Sequence, residues 1–77
     1  MKIIYTSLWA GLHPLEPGWY NASIAEAKDI FRWWDGEFWS FPAYPSLNAT
    51  QASYAASQKA PALEASLISW RSFKVEI

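Results

Sequence analysis

"RWWDGEFWSFP", residues 32–42, sets three of the chain's six tryptophans around a single Asp-Gly pair. Asp-Gly between two aromatic, β-forming runs is a strong hairpin signal, because a type I′ turn requires positive φ at both central residues and glycine accepts that conformation without strain. Strands are expected over residues 30–34 and 37–41. With Asp35 and Gly36 as a two-residue loop, Trp34 faces Glu37, Trp33 faces Phe38, Arg32 faces Trp39 and Phe31 faces Ser40. Side chains alternate across a strand, so the ribbon has two different sides. Phe31, Trp33 and Phe38, together with Ser40, form the more apolar side and the expected core face. Ile30, Arg32, Trp34, Glu37, Trp39 and Phe41 form an amphipathic side, where the Arg32 guanidinium lies among indole rings. Such stacking contributes roughly 0.5–1 kcal/mol when exposed. A type I turn with a glycine bulge would slide the pairing by one residue and exchange the two sides.

Outward from this stretch, Pro42 and Pro45 end the hairpin, since proline cannot donate to a ladder. "NATQASYAASQKA", residues 48–60, predicts a helix: Asn48 can cap, Gln51 stands three residues on as in a capping box, and Pro61 follows the last turn. Alanines at 49, 52, 55, 56 and 60 leave a smooth surface that can lie close against bulky indoles. Tyr54, the one large ring, is expected at the helix edge. Upstream, residues 3–9 read as a strand that closes at Gly11, His13 and Pro14. Pro17-Gly18 then turns into a short strand at Trp19 and Tyr20. Residues 22–29 cover barely two turns and are expected as a loop or a helical turn. In the tail, Phe73, Val75 and Ile77 alternate with Ser72, Lys74 and Glu76, whereas Ile68 and Trp70 lie in the opposite phase. A bulge or turn near Arg71-Ser72 is needed to switch the inward side. The expected fold class is α+β: a small antiparallel sheet of four or five strands built on the central hairpin, with one alanine-rich helix packed on it, in a single domain spanning residues 1–77.

At this length one core supplies only a few kcal/mol beyond the entropy of ordering the chain, and the absence of cysteine removes any disulfide or thiolate metal site. Aromatic mass replaces such staples: Phe, Trp and Tyr make up 18% of the residues, and each ring buries roughly 150–250 Å². Six basic residues against seven acidic ones give a formal net charge of −1. A phosphate-tracking surface needs a basic stripe, so a nucleic-acid partner is not expected. The opening "MKIIYTSLWAGL" is broken by Tyr5, Thr6 and Ser7, and reads as a first strand rather than a secretory leader. No apolar run approaches the roughly 20 residues of a membrane span, and a soluble, cytoplasmic protein is expected.

Residues 17–40 resemble a short domain of unknown function whose hallmark is PGWY, a gap, then R-W/Y-W-D-G-x-x-W-T/S. The resemblance rests on Pro17, Gly18, Trp19, Tyr20, Arg32, Trp33, Trp34, Asp35, Gly36, Trp39 and Ser40, with Asn21 and Ala22 where that family usually has proline and aspartate. The later helix followed by "ISWR" is similar to small hypothetical proteins of tailed phages and prophages. The resemblance implies a compact antiparallel sheet and a phage or prophage setting in the host bacterial cytoplasm. It brings no catalytic residues.

Chemistry is sparse. His13 is the lone histidine, and no spacing of Glu16, Glu26 or Asp29 marks them as fellow ligands. Asp35 and Glu37 are not read as a catalytic pair, because Asp35 has a full role in the turn. No activated serine pattern or glycine-rich phosphate cradle occurs, and Asn21-Ala22-Ser23 fits a glycosylation sequon of a kind common by chance. Neither enzymatic activity nor a cofactor is therefore expected. The expected site is a partner-binding face of Arg32, Trp34, Glu37 and Trp39, since Trp and Arg dominate binding hot spots and a two-sided aromatic hairpin in so small a chain leaves one face short of cover. The leading functional expectation is a small protein-binding accessory factor that inhibits or redirects a host protein, such as a defence system. A carbohydrate-binding or wall-associated module using Trp34 and Trp39 as a platform is the alternative, as is a small virion component whose aromatic face is buried by homo-oligomerisation.

Overall fold

The computed structural model describes residues 2–76. Strand β1 is Lys2–Tyr5, β2 Gly18–Ser23, β3 Phe31–Trp34, β4 Ser69–Arg71 and β5 Phe73–Glu76; helix α1 is Ala49–Ala56 and the short α2 is Ala62–Ala65. The class is α+β, as expected, but the strands divide into two antiparallel sheets rather than one: β1 with β5, and β3-β2-β4. The phase slip in the tail is the reason. β4 pairs with β2, the chain breaks at Ser72, and β5 then pairs with β1. Ser72 is held at the crossing by Thr6, whose N–H donates to its carbonyl (2.9 Å), and by Ser7, whose Oγ accepts from its N–H (2.9 Å).

The reversal within residues 32–42 is present, with its centre moved one residue on. Trp34 pairs with Trp39 rather than Glu37, and the Ser40 N–H donates to the Trp33 carbonyl (2.9 Å). Gly36 has φ of 101° while Asp35 is not in the left-handed region, so the type I′ geometry does not form. Asp35 instead folds its own side chain into the turn, where Oδ1 accepts from the backbone N–H groups of Glu37 (2.7 Å) and Phe38 (2.6 Å), the behaviour that suits Asp to turns. The second arm makes only isolated bridges, Trp39 to Trp34 and Ala43 to Phe31. Between these bridges it carries one residue more than β3, which bends it outward at Phe41 and Pro42. Residues 58–60 run along its other side through Phe41 N–H to Gln58 O and Ala60 N–H to Trp39 O, both 2.9 Å.

This pairing explains where α1 ends. The predicted helix over 48–60 starts as expected, with the reciprocal Asn48–Gln51 capping box formed, but it stops at Ala56. Residues 58–60 leave it to bond the arm beside Trp39, and Pro61 opens α2 instead of trailing α1. Proline is well suited to a helix start, where a missing N–H costs nothing. Residues 22 and 23, expected in a loop, belong to β2.

The Asp35 turn makes acid stability testable. The hydrogen bond from Phe38 is the main cause holding the Asp35 carboxyl below the ordinary carboxylate range, aided by the Glu37 N–H and the charge of Lys59, against a smaller opposing effect of burial. A depressed folded-state pKa contributes stability that is present above the unfolded-state value and is lost as pH falls through the folded-state value. Asp35→Asn should therefore flatten the acid limb of a Tm-against-pH curve. An unchanged acid limb would show that the turn carboxylate is not coupled to folding.

Candidate functional site

Arg32, Trp34 and Trp39 lie on one side of the sheet and Phe31, Trp33 and Ser40 on the other, as predicted, but both sides are covered. β2 sets Gly18 opposite Trp34 and Tyr20 opposite Arg32, and β4 sets Trp70 opposite Ala22. Arg32, Trp34 and Trp39 thus join Tyr20, Ala22, Ile68 and Trp70 on one face of the three-stranded sheet, and that face is the centre of the core. Trp34 and Trp39 are each 3% exposed. Their rings lie 5.0 Å apart, and Tyr20 meets Trp39 edge-on at 6.1 Å and Trp70 at 4.9 Å. Arg32 is buried too: Nη1 donates to the Ser40 carbonyl (3.0 Å) and Nη2 to Glu64 Oε1 (2.6 Å) on α2. Its Nε has no partner.

The expected partner-binding face of Arg32, Trp34, Glu37 and Trp39 is accordingly not a surface of the folded chain. Only Glu37 is exposed, and it lies in the turn. The same burial takes from the surface the rings on which a sugar platform was expected. On the expected core face, Phe31 and Ser40 are buried, Trp33 is half-buried and Phe38 is exposed. This face is covered as well, by Trp19 against Trp33 (5.7 Å), by Phe73 against Phe31 (4.8 Å) and by α1. Cover for both sides comes from the tail, the 6–17 loop and α2. Arg71, not Arg32, is the arginine stacked on rings, at 3.7 Å over Tyr5 and 4.5 Å over Trp9.

Asn21 was not singled out as structural by the sequence. It is fully buried. Its Nδ2 serves the carbonyls of Ala27 (2.9 Å), Lys28 (3.1 Å) and Ile30 (2.7 Å), and its Oδ1 accepts from Arg71 Nε (2.7 Å). An amide so engaged is inaccessible to modification in the folded state. The one signal in the sequence was a polar residue directly after the short strand read at Trp19 and Tyr20.

Of the large apolar side chains left outside, the three most exposed lie in residues 6–17. Leu8 is 90% exposed, Leu12 84% and Leu15 101%. The loop that carries them is nevertheless fastened to the core. Ala10 exchanges two backbone hydrogen bonds with Trp70 (2.8 and 3.0 Å), and the Trp70 indole N–H donates to the Leu12 carbonyl. The His13 ring rests 4.6 Å from that of Trp34, Pro14 is buried, and the Tyr20 hydroxyl donates to the Glu16 carbonyl (2.8 Å). Three leucines are thereby presented to solvent on a scaffold fixed between them. Among the described residues no group of three or more His, Asp or Glu side chains is placed to hold a metal, and no helix is long and apolar enough to cross a membrane. Comparison of the chain with protein-family models, curated proteins and solved structures found no match.

Proposed function

We propose that this chain is a small non-enzymatic, protein-binding accessory factor whose contact surface is the 6–17 loop, with Leu8, Leu12 and Leu15 as its anchors. The single observation that supports this reading is the combination of near-complete leucine exposure with a loop tied down at Ala10, Leu12, Pro14 and Glu16. Exposed apolar side chains in a small domain carry a cost in solubility, and clusters of them mark interaction sites. Fixing the loop beforehand lowers the entropy lost on docking. The partner is a protein offering an apolar groove. The resemblance of the PGWY and RWWDG segments is the support for reading the setting as phage or prophage and the partner as a host protein of the bacterial cytoplasm, such as a component of a defence system.

The test is a triple variant, Leu8→Ser/Leu12→Ser/Leu15→Ser. Because these side chains bury almost nothing in the fold, its Tm should stay within about 4 °C of the parent. Capture of host proteins by the immobilised chain should fall to background. Undiminished capture by a folded triple variant would remove the loop from the interface.

A further inference from the structure

Among the described residues the β1–β5 sheet has two strands, and β5 is bonded on one side alone. Its register pairs Lys2 with Glu76, Ile3 with Val75, Ile4 with Lys74 and Tyr5 with Phe73. The bond from Thr6 N–H to the Ser72 carbonyl continues this ladder by one pair. In an antiparallel ladder, bonded and non-bonded pairs alternate. Lys74 and Glu76 therefore turn their backbone groups toward β1, and Phe73 and Val75 turn theirs outward. The outward edge is open, with Val75 51% exposed and the Lys74 and Glu76 side chains 61% and 55% exposed.

We propose that this edge pairs with the same edge of a second copy, about a two-fold axis at Val75, to give a four-stranded sheet in the order β1-β5-β5-β1. Charge complementarity favours this pairing. An antiparallel pairing centred on Val75 sets Lys74 of one copy opposite Glu76 of the other, and the symmetry makes this happen twice. Along that face the charges then alternate in sign from Lys2 through Glu76 to Lys74 of the second copy. Val75 meets Val75 as the bonded pair, so Lys74 and Glu76 form the non-bonded pairs, where cross-strand side chains approach most closely. β1 has no such self-complementarity, because Lys2 is its one charge. In the other sheet, both outer edges are bridged, at Ala43 and Trp39 beside β3 and at Ala10 beside β4. A ladder this short buries little area, so the dimer is weak and forms by mass action. The leucine loop takes no part in this pairing.

Sedimentation of the intact chain over a concentration series tests it. The parent should pass from monomer to dimer, with weaker association at high salt. Lys74→Glu and Glu76→Lys each place like charges opposite one another and should dissociate at least about tenfold more readily. Mixed together, the two variants regain opposite charges at both positions and should form a heterodimer with the parent's affinity. Val75→Pro removes only an outward-facing N–H, so it should leave the chain folded and monomeric. A parent that stays monomeric throughout, or a dimer that survives Val75→Pro and both charge variants, overturns the proposal. A pair of variants that fails to recombine does so equally.

Discussion

Trp39→Ala should unfold the protein, or leave it folded only well below room temperature. The indole is 3% exposed and packs on Trp34 and Tyr20, while its carbonyl holds the Ala60 N–H at 2.9 Å. Truncating a buried tryptophan costs about 3–5 kcal/mol through lost transfer energy and the cavity left behind. A domain of this size has little more than that in total. The expected Tm drop is at least about 12 °C, read by urea or thermal unfolding with near-ultraviolet circular dichroism. Tyr54→Ala is the matched control, since that ring is 67% exposed and its loss should stay within about 0.5 kcal/mol. A Trp39→Ala chain with the parent's unfolding midpoint would mean that the ring lies outside, as the sequence pattern alone suggested.

Asn21→Ala is expected to be nearly as damaging, by about 2–4 kcal/mol, although it removes only an amide. The loss would leave the Ala27 carbonyl and Arg71 Nε without their partner, and would take one of two donors from the carbonyls of Lys28, which keeps the Tyr5 hydroxyl, and Ile30, which keeps the Ala22 N–H (3.0 Å). Buried polar groups left unsatisfied cost about 1–3 kcal/mol each, partly relieved where water can reach them. The damage should begin at one place. The segment joining β2 to β3 has Glu26 at a φ of 54° and is held by Asn21, by Ser23, whose Oγ accepts from the Ala27 N–H (2.7 Å), by the Tyr5 hydroxyl on the Lys28 carbonyl and by the Ala22 N–H on that of Ile30. Hydrogen exchange at residues 24–30 should therefore accelerate well beyond the global change. Uniform acceleration across all strands would show instead that the amide acts through the core as a whole.

Elements governed by local chemistry were legible. The Asn48 cap and its Gln51 partner were readable because a capping box involves residues three apart. The break at Ser72 was readable because an alternating pattern that changes phase requires one. The Asp-Gly reversal was legible as an event, but its register was not. Asp35 could serve either as a turn residue with positive φ or as a side-chain acceptor, and the pairing of Trp34 with Trp39 selected the second. Pro61 was equally ambiguous, since proline both follows helices and starts them. The candidate site was the least legible part. Leu8, Leu12 and Leu15 are the kind of residue that a sequence places inside, and their exposure follows from the fastening of Ala10 to Trp70 across the length of the chain.

Composition and spacing by themselves determined that this protein builds its core from aromatic rings, that strands dominate one helix, and that the hairpin's rings sort into two definite sets. Alternation along a strand is a property of the backbone, so that sorting needed no knowledge of the rest of the molecule. How each set is covered was decided only by tertiary structure. A sheet face is buried by whatever lies against it: the Trp70 side chain, α2 and the 6–17 loop, all remote in sequence from the hairpin, enclose Arg32, Trp34 and Trp39, while Trp19, Phe73 and α1 cover Phe31 and Trp33.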